Sequence, residues 1–348
     1  MLLLLSLAAI TVLGVLLFRP AFTPRLRHGL ATLEQVRIGG VDQWIMIRSQ
    51  DPTNPVLLFV HGGPGTSQLT LMRHNTKALE AHFTVVSWDQ RGAGKSYRAS
   101  RDASHMNVSQ FVDDVIELTQ YLEARFHQPK ITLAGHSWGS AISVLAVQRR
   151  PDLFNAYIGI GQVSDMVQGE QLSWEWALQQ AKAANDQRSV KQLMAGPPPY
   201  SGEGWRAKFL TERRILGKYG GEFHARKIGA FGVVLKNLIF STEYTLVDRI
   251  NFFRGIFHSL ELLMPEFFNV NLVRQAPQLA VPVYFMLGRH DYEVPSLLAE
   301  KYFAELKAPK KSLFWFENSA HMPNTEERDR FNDILLHSVL PEVAAHAH

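Results

Sequence analysis

The 348-residue chain contains no cysteine. This excludes disulfide bridges, a thiolate nucleophile and cysteine-ligated metals. It also lacks an HExxH run and any other tight spacing of His, Asp and Glu that suits a metal. The terminal His346-Ala347-His348 reads as a frayed tail. A large charge of one sign is missing too: 36 Lys and Arg against 32 Asp and Glu leave only +4. The basic residues are scattered apart from short clusters such as Arg213-Arg214, so there is no nucleic-acid footprint. No internal repeat is present. What remains, 46% apolar and 20% charged residues, is a globular composition. It is enough for two ordinary domains, or for one large domain that carries an insertion.

One long apolar run, Leu2 to Phe18, is broken only by Ser6, Thr11 and Gly14. At about 1.5 Å per residue it reaches roughly 26 Å, near the short limit for a membrane-spanning helix. A secretory signal peptide is the alternative. No Lys or Arg precedes the run, however, and no Ala-x-Ala-like site follows it. Arg19, Arg25 and Arg27 lie just beyond it. The pattern predicts an uncleaved N-terminal membrane anchor with its linker over residues 1–30. Under the positive-inside rule the following domain lies in the cytoplasm, with export as the other possibility.

After the linker, Leu33 to Ile38, Gly39-Gly40 and Val41 to Ile47 predict a strand–turn–strand. Val56 to Val60, Phe83 to Trp88, Ile131 to Ala134 and Ala156 to Ile160 read as strands buried on both faces. Helical patterns fall between them, one opening at Asn107. Such alternation implies a largely parallel sheet with helices on both faces. From about Val163 to Gln278 the alternation stops, in a stretch rich in Trp, Phe, Gln and charged helix formers that reads as an inserted helical cap. Strand patterns resume at Val281 to Leu287 and Ser312 to Phe316, and an amphipathic helix closes the chain from about Glu326.

Gly135-His136-Ser137-Trp138-Gly139 is a G-x-S-x-G between a strand and an apolar helix. A serine there sits on a sharp turn with its oxygen clear of the backbone, and small flanking residues let strand and helix approach. The N-terminus of the following helix favours negative charge developing at that oxygen's partner. His61-Gly62-Gly63-Pro64-Gly65 follows another strand, and its glycines let backbone N–H groups turn inward. Gly63 and Trp138 are the oxyanion-hole candidates, and His61 reads as a hydrogen-bonder for the loop. A nucleophile of this kind is followed in the chain by its acid and then its base. Asp291 lies just after the strand ending at Leu287, and His321 after the strand ending at Phe316. Both occupy loops at the C-terminal ends of strands, where such sheets place their sites. His290 is the runner-up base, and Glu317 and Glu293 are weaker candidates for the acid.

These motifs, with Trp88-Asp89-Gln90-Arg91-Gly92-Ala93-Gly94-Lys95-Ser96, resemble the proline iminopeptidase group of α/β-hydrolases over roughly 33–162 and 279–340. The resemblance implies an α/β-hydrolase fold with a catalytic domain over 31–162 and 279–348 and a helical cap over 163–278. It implies removal of an N-terminal residue, usually proline, from a short peptide or small molecule, with no metal or cofactor. Ser137, Asp291 and His321 would be the triad, and Asp89 to Ser96 a structural loop flanking the pocket. The sequence departs from the family at His136, often glycine there. It also lacks the Trp-rich, glutamate-bearing cap segment associated with the substrate's free amine. Trp174-Glu175-Trp176, Glu170, Glu212 and Glu243 are the available substitutes, but each glutamate reads rather as a solvated helix residue. The cap aromatics Trp174, Trp176, Trp205, Phe231, Phe240, Phe252, Phe253, Phe267 and Phe268 fit either a cap core or a pocket for an apolar ester.

Three readings therefore follow: an aminopeptidase-like serine hydrolase, a carboxylesterase or lactonase on small apolar substrates, and a catalytically silent membrane-tethered binding protein. The last requires a broken triad or a missing oxyanion loop.

Overall fold

The computed structural model describes residues 20–345 apart from 101–102 and 225–228. The Leu2 to Phe18 run, Arg19 and His346 to His348 lie outside the described residues. Among those described, no helix is long and apolar enough to cross a membrane.

Eight strands form one sheet in the order β1-β2-β4-β3-β5-β6-β7-β8. They are β1 Leu30–Ile38, β2 Val41–Ser49, β3 Val56–Val60, β4 Thr84–Asp89, β5 Ile131–His136, β6 Phe154–Ile160, β7 Val283–Gly288 and β8 Lys311–Phe316. The expected hairpin is present, its turn made by Gly39 and Gly40 at φ of 55° and 75°, the sign that two-residue hairpin turns require. Only β1–β2 and β2–β4 are antiparallel; the other five pairings are parallel. Strands β3 to β7 are buried along their whole length. That burial explains their unbroken apolar runs.

The order contains a switch. From β3 the chain moves outward to β4, then returns to place β5 on the other side of β3. At such a point two strands send their following loops in opposite directions, and a crevice opens between them. Val60 pairs with Gly135 there, so the His61-Gly62-Gly63 loop and the Ser137 turn begin side by side.

Short helix α1 (Leu69–Asn75) precedes β4. Helix α2 (Val108–Phe126) starts where the sequence placed it, with the Asn107 side chain accepting the Gln110 N–H. It buries Phe111, Val112, Val115, Leu118 and Leu122. Helix α3 (Trp138–Arg149) is apolar on almost every side and is buried. Between β6 and β7 run α4 (Met166–Ala183), α5 (Gln187–Met194), α6 (Trp205–Lys218), α7 (Gly229–Phe240), α8 (Leu246–Phe267) and the short α9 (Leu272–Gln275). Helix α8 lies hard against the core. A Cβ at Gly255 would stand 2.5 Å from the Gly92 carbonyl, and one at Gly65 would stand 2.6 Å from Ser259 Cβ.

Helix α10 (Ser296–Glu305) packs between β7 and β8. The closing helix expected from about Glu326 is present: the short α11 (Pro323–Glu326) precedes it, and it runs from Arg328 to Ala345 as α12 (Arg328–Ile334), one wider helical turn over Leu335–Val339 and α13 (Leu340–Ala345). Two carboxylates set its start. Glu326 accepts the Ala320 N–H at 2.8 Å, and Glu327 accepts the Asn318 N–H at 3.0 Å and the Ser319 hydroxyl at 2.7 Å. Bracing that loop holds Glu327 at φ −120°, ψ 49°, outside helical geometry.

Candidate active site

Ser137 occupies the turn between β5 and α3 with φ 54° and ψ −123°, a conformation that costs a non-glycine residue of order 1–3 kcal/mol. The surrounding chain enforces it. A Cβ at Gly135 would stand 2.6 Å from the Gly139 carbonyl, and one at Gly139 would collide with the Val60 carbonyl. Strand and helix therefore close so tightly that only glycine fits on both sides of the serine. Trp138 opens α3, so its N–H is one of the donors that a helix's first turn leaves without an internal partner.

Asp291 and His321 come together. Asp291 Oδ2 lies 2.8 Å from His321 Nδ1, and both residues are buried. The other carboxylate oxygen accepts the N–H groups of Glu293 at 3.0 Å and Val294 at 2.9 Å, which leaves Oδ2 to orient the imidazole. Burial disfavours the charged imidazole. The Asp291, Glu293 and Glu222 carboxylates outweigh it and hold His321 up at about 9. Its Nε2 is buried without a hydrogen-bond partner. Ser137 and His321 line one cavity of about 450 Å³ together with Gly62 and Gly63. A larger hollow of about 1010 Å³, by Trp44, Lys95 and Asn251, contains neither residue.

The other two histidines near the site are neutral, because burial depresses His61 to about 4 and His136 to about 3. His136 Nδ1 is 2.9 Å from Gln68 Nε2, and Nε2 is 2.9 Å from the His321 carbonyl. Gln68 can only donate there, so His136 donates from Nε2 and pins the His321 backbone. His61 behaves as the sequence implied. Its Nδ1 reaches the Gly62 carbonyl at 2.8 Å and its Nε2 accepts the Gln90 N–H at 3.2 Å. Gln90, part of the Trp88 to Ser96 motif, ties the loop that carries Gly63 to the Trp138 side chain. Its Nε2 donates to the His61 carbonyl at 2.7 Å, and its Oε1 accepts from Trp138 Nε1 at 3.0 Å.

The lesser candidates are dispersed. His290 stacks on His224 at 3.6 Å between ring centroids. Glu317 is exposed and pairs with Arg289. Glu293 does not hold the base; its side chain lines the cavity. Trp176 stacks on Tyr292 at 4.3 Å and Trp174 Nε1 donates to the Leu193 carbonyl at 3.0 Å, so both build the cap. Phe252 and Phe253 do line the cavity, whereas Phe267 packs on the Trp138 ring. The Phe231 side chain lies outside the described part.

The solvated reading of the cap glutamates fails for three of the four. Glu175 is exposed, but Glu170, Glu212 and Glu243 are buried. Arg213 lies between Glu170 and Glu212, 2.5 Å from each, and Glu243 pairs with Arg73 at 2.6 Å. For Glu170 and Glu243, partners far along the chain supply the compensation that lets a carboxylate leave water. The carboxylate that sequence reasoning missed is Glu222. It lines the cavity beside Glu293, and its backbone carbonyl accepts the His321 N–H at 3.0 Å. Burial, then the charge of Glu293, push Glu222 up to about 8.

A family model for the alpha/beta hydrolase fold matches residues 55–327. A probable aminopeptidase of Bacillus subtilis (strain 168), YbaC, is 36% identical over 313 residues, covering 89% of this chain and 96% of that protein. A proline iminopeptidase of Heyndrickxia coagulans is 25% identical over 287 residues, covering 80% of this chain and 87% of its own length. The crystal structure of a proline iminopeptidase-related protein from Thermus thermophilus superposes with a TM-score of 0.67 at 16% identity, covering 90% of this chain and all of that one. With the strand order, the serine turn and the matched sequence in agreement, the chain belongs to the α/β-hydrolase family and is a hydrolase.

Proposed function

We propose that this hydrolase is an aminopeptidase-like serine hydrolase that releases an N-terminal residue from short peptides or aminoacyl amides. The observation that carries this reading is the placement of Glu222 and Glu293 in the same cavity as Ser137 and His321. Arg213 is already engaged by Glu170 and Glu212, so it does not compete for the Glu222 and Glu293 carboxyl groups, and a substrate ammonium beside Glu222 would draw that residue into its charged form. The apolar side chains of Phe252, Phe253, Ile256 and Leu260 cover the remainder of a small substrate residue.

In this mechanism His321 Nε2 takes the proton from the Ser137 hydroxyl as that oxygen bonds to the scissile carbonyl carbon. The carbonyl oxygen gains the electron pair and is held by the Gly63 and Trp138 N–H groups. His321 returns the proton to the leaving amine as the C–N bond breaks, giving an acyl-enzyme. Water attacks that ester by the same route and restores Ser137. Asp291 keeps the Nδ1 proton in place and stabilises the imidazolium. Hydrolysis of small apolar esters or lactones is the second reading, favoured by the same apolar lining; the Ser137–His321–Asp291 machinery serves both.

The deciding experiment compares kcat/KM for prolyl- and other aminoacyl-naphthylamides with acyl analogues that lack the α-amine. The expected result is a preference for the free amine of tenfold or more, on the order of one charge-assisted hydrogen bond. Equal or better turnover of the des-amino compounds would overturn the aminopeptidase reading in favour of the esterase.

A further inference from the structure

We propose that the exposed apolar face formed by Phe22, Ile239, Phe240, Val247 and Ile250 docks the cap onto an anionic phospholipid surface. Ten large apolar side chains stand exposed among the described residues, and six of them, these five and Phe257, belong to this one region. Scattered exposed hydrophobics need no explanation, whereas a gathered patch marks an interaction surface. Phe240 is 77% exposed at the end of α7.

Local geometry makes the patch continuous. Val247, Ile250, Arg254 and Phe257 follow one another by three, four and three residues, which places them in one stripe along α8. The Arg249 guanidinium donates to the Ser241 carbonyl at 3.1 Å and so fastens the start of α8 beside the end of α7, where Ile239 and Phe240 project. The Phe22 N–H donates to the Thr242 carbonyl at 2.9 Å, which brings the N-terminal linker to the same edge.

Two observations identify the occupant as lipid. The first is charge. Lys236 and Arg254 are exposed on the two helices that carry the face, and Arg25 and Arg27 are exposed in the linker just after Phe22, while the nearby acids are already engaged: Asp248 by Lys95 at 2.7 Å, Glu261 by Arg206 at 2.6 Å and Glu243 by Arg73 at 2.6 Å. An apolar face with a cationic rim suits the boundary between acyl chains and anionic headgroups. The second is the chain itself. The 17-residue run Leu2 to Phe18 ends four residues before Phe22, so a segment with the composition of a bilayer-seeking helix joins the fold at this patch. The docking has a consequence for access. Phe257 belongs to the stripe and also lines the cavity with Phe253 and Ile256, so the cavity mouth would open along the membrane surface.

The absence of cysteine supplies the test. In the full chain, single cysteines are introduced as F240C, I250C, M194C or L297C and labelled with an environment-sensitive fluorophore. Vesicles of phosphatidylcholine with roughly 30% phosphatidylglycerol, or of phosphatidylcholine alone, are then added. With anionic vesicles, emission from positions 240 and 250 is expected to shift to the blue and rise several-fold, with salt suppressing the change, while positions 194 and 297 stay unchanged. Four results would overturn the proposal. One is an equal response at all four positions. Another is no response at 240 and 250 from protein that floats with the vesicles, which would leave the N-terminal run as the sole contact. The third is an equal response to phosphatidylcholine alone. Emission at 240 and 250 already shifted before lipid is added, and unmoved by it, would also overturn it and place the chain's own apolar run on the face. Hydrolysis of a soluble ester by each variant reports that the fold is intact.

Discussion

The two walls of the cavity are built by different means. On the sheet side, Ser137, Asp291 and His321 stand on loops leaving β5, β7 and β8, and backbone groups set each of them: the tight glycine turn around Ser137, two N–H groups on Asp291, and the Glu222 carbonyl on the His321 amide. On the cap side, Glu170, Glu212 and Arg213 hold one another by charge on two helices, α4 and α6, while Glu222 faces the cavity beside them and Glu293 reaches it from the loop after β7. Backbone-held groups have one geometry. Charge-held groups have a balance that a substrate or a change of pH can shift. The first wall is therefore suited to chemistry and the second to choosing what reaches it.

The largest effect expected from breaking this contrast lies on the sheet side. Ser137→Ala should lower turnover by about 10⁴-fold or more, with an unchanged melting temperature and no labelling by a fluorophosphonate. Normal labelling would remove the nucleophile from this wall. Arg213→Leu attacks the cap side in the opposite way, through stability. It leaves Glu170 and Glu212 buried without their cation, at a cost of about 3–5 kcal/mol, measurable by urea unfolding. A loss below about 1 kcal/mol would mean that the two carboxylates are not held as described.

Gln90→Leu tests whether one buried side chain aligns both oxyanion donors. It strands the His61 carbonyl and Trp138 Nε1, at about 1–3 kcal/mol. It is expected to lower kcat on the order of tenfold with KM unchanged; a rise in KM alone would make Gln90 a pocket residue rather than a positioning one. The subtlest effect joins the walls. Only neutral His321 is a base. Burial opposes its charged form, but three carboxylates keep that form up to about 9, so hydrolysis of an uncharged ester should increase as pH rises through that range. Glu222→Gln removes one of those carboxylates, and the rise should move to lower pH while KM for amine-bearing substrates increases on the order of tenfold. A rise that stayed put or moved upward would disconnect the cap wall from the base.

How much of this is legible in the sequence follows the same division. Ser137, the two glycine loops, and Asp291 and His321 in strand-end loops each carry a local signal: a strand's apolar run, then a turn residue of the kind the proposed chemistry uses. The hairpin glycines and the Asn107 cap are local in the same sense. Glu170 and Glu212 look like surface positions because each is read along its own helix, and Arg213 meets Glu170 from 43 residues away. Glu222, in a short Gly-Gly-Glu loop, has no periodicity to mark it. The closing helix is legible because its pattern is helical; its start at Arg328 is not, since Glu326 and Glu327 are drawn off to brace the loop before His321.

The fold class, the order of strands and helices, and the three residues proposed for the chemistry can be read locally along the chain, because strand runs, turn glycines and strand-end loops are short-range constraints on the backbone. Tertiary structure alone decided which carboxylates leave water, how Gln90 and His136 lock the oxyanion and base loops, and which face of the cap stays bare. Those outcomes depend on burial and on partners brought close only by folding, and the energy of a charge or an apolar side chain is fixed by its surroundings rather than by its neighbours in the chain.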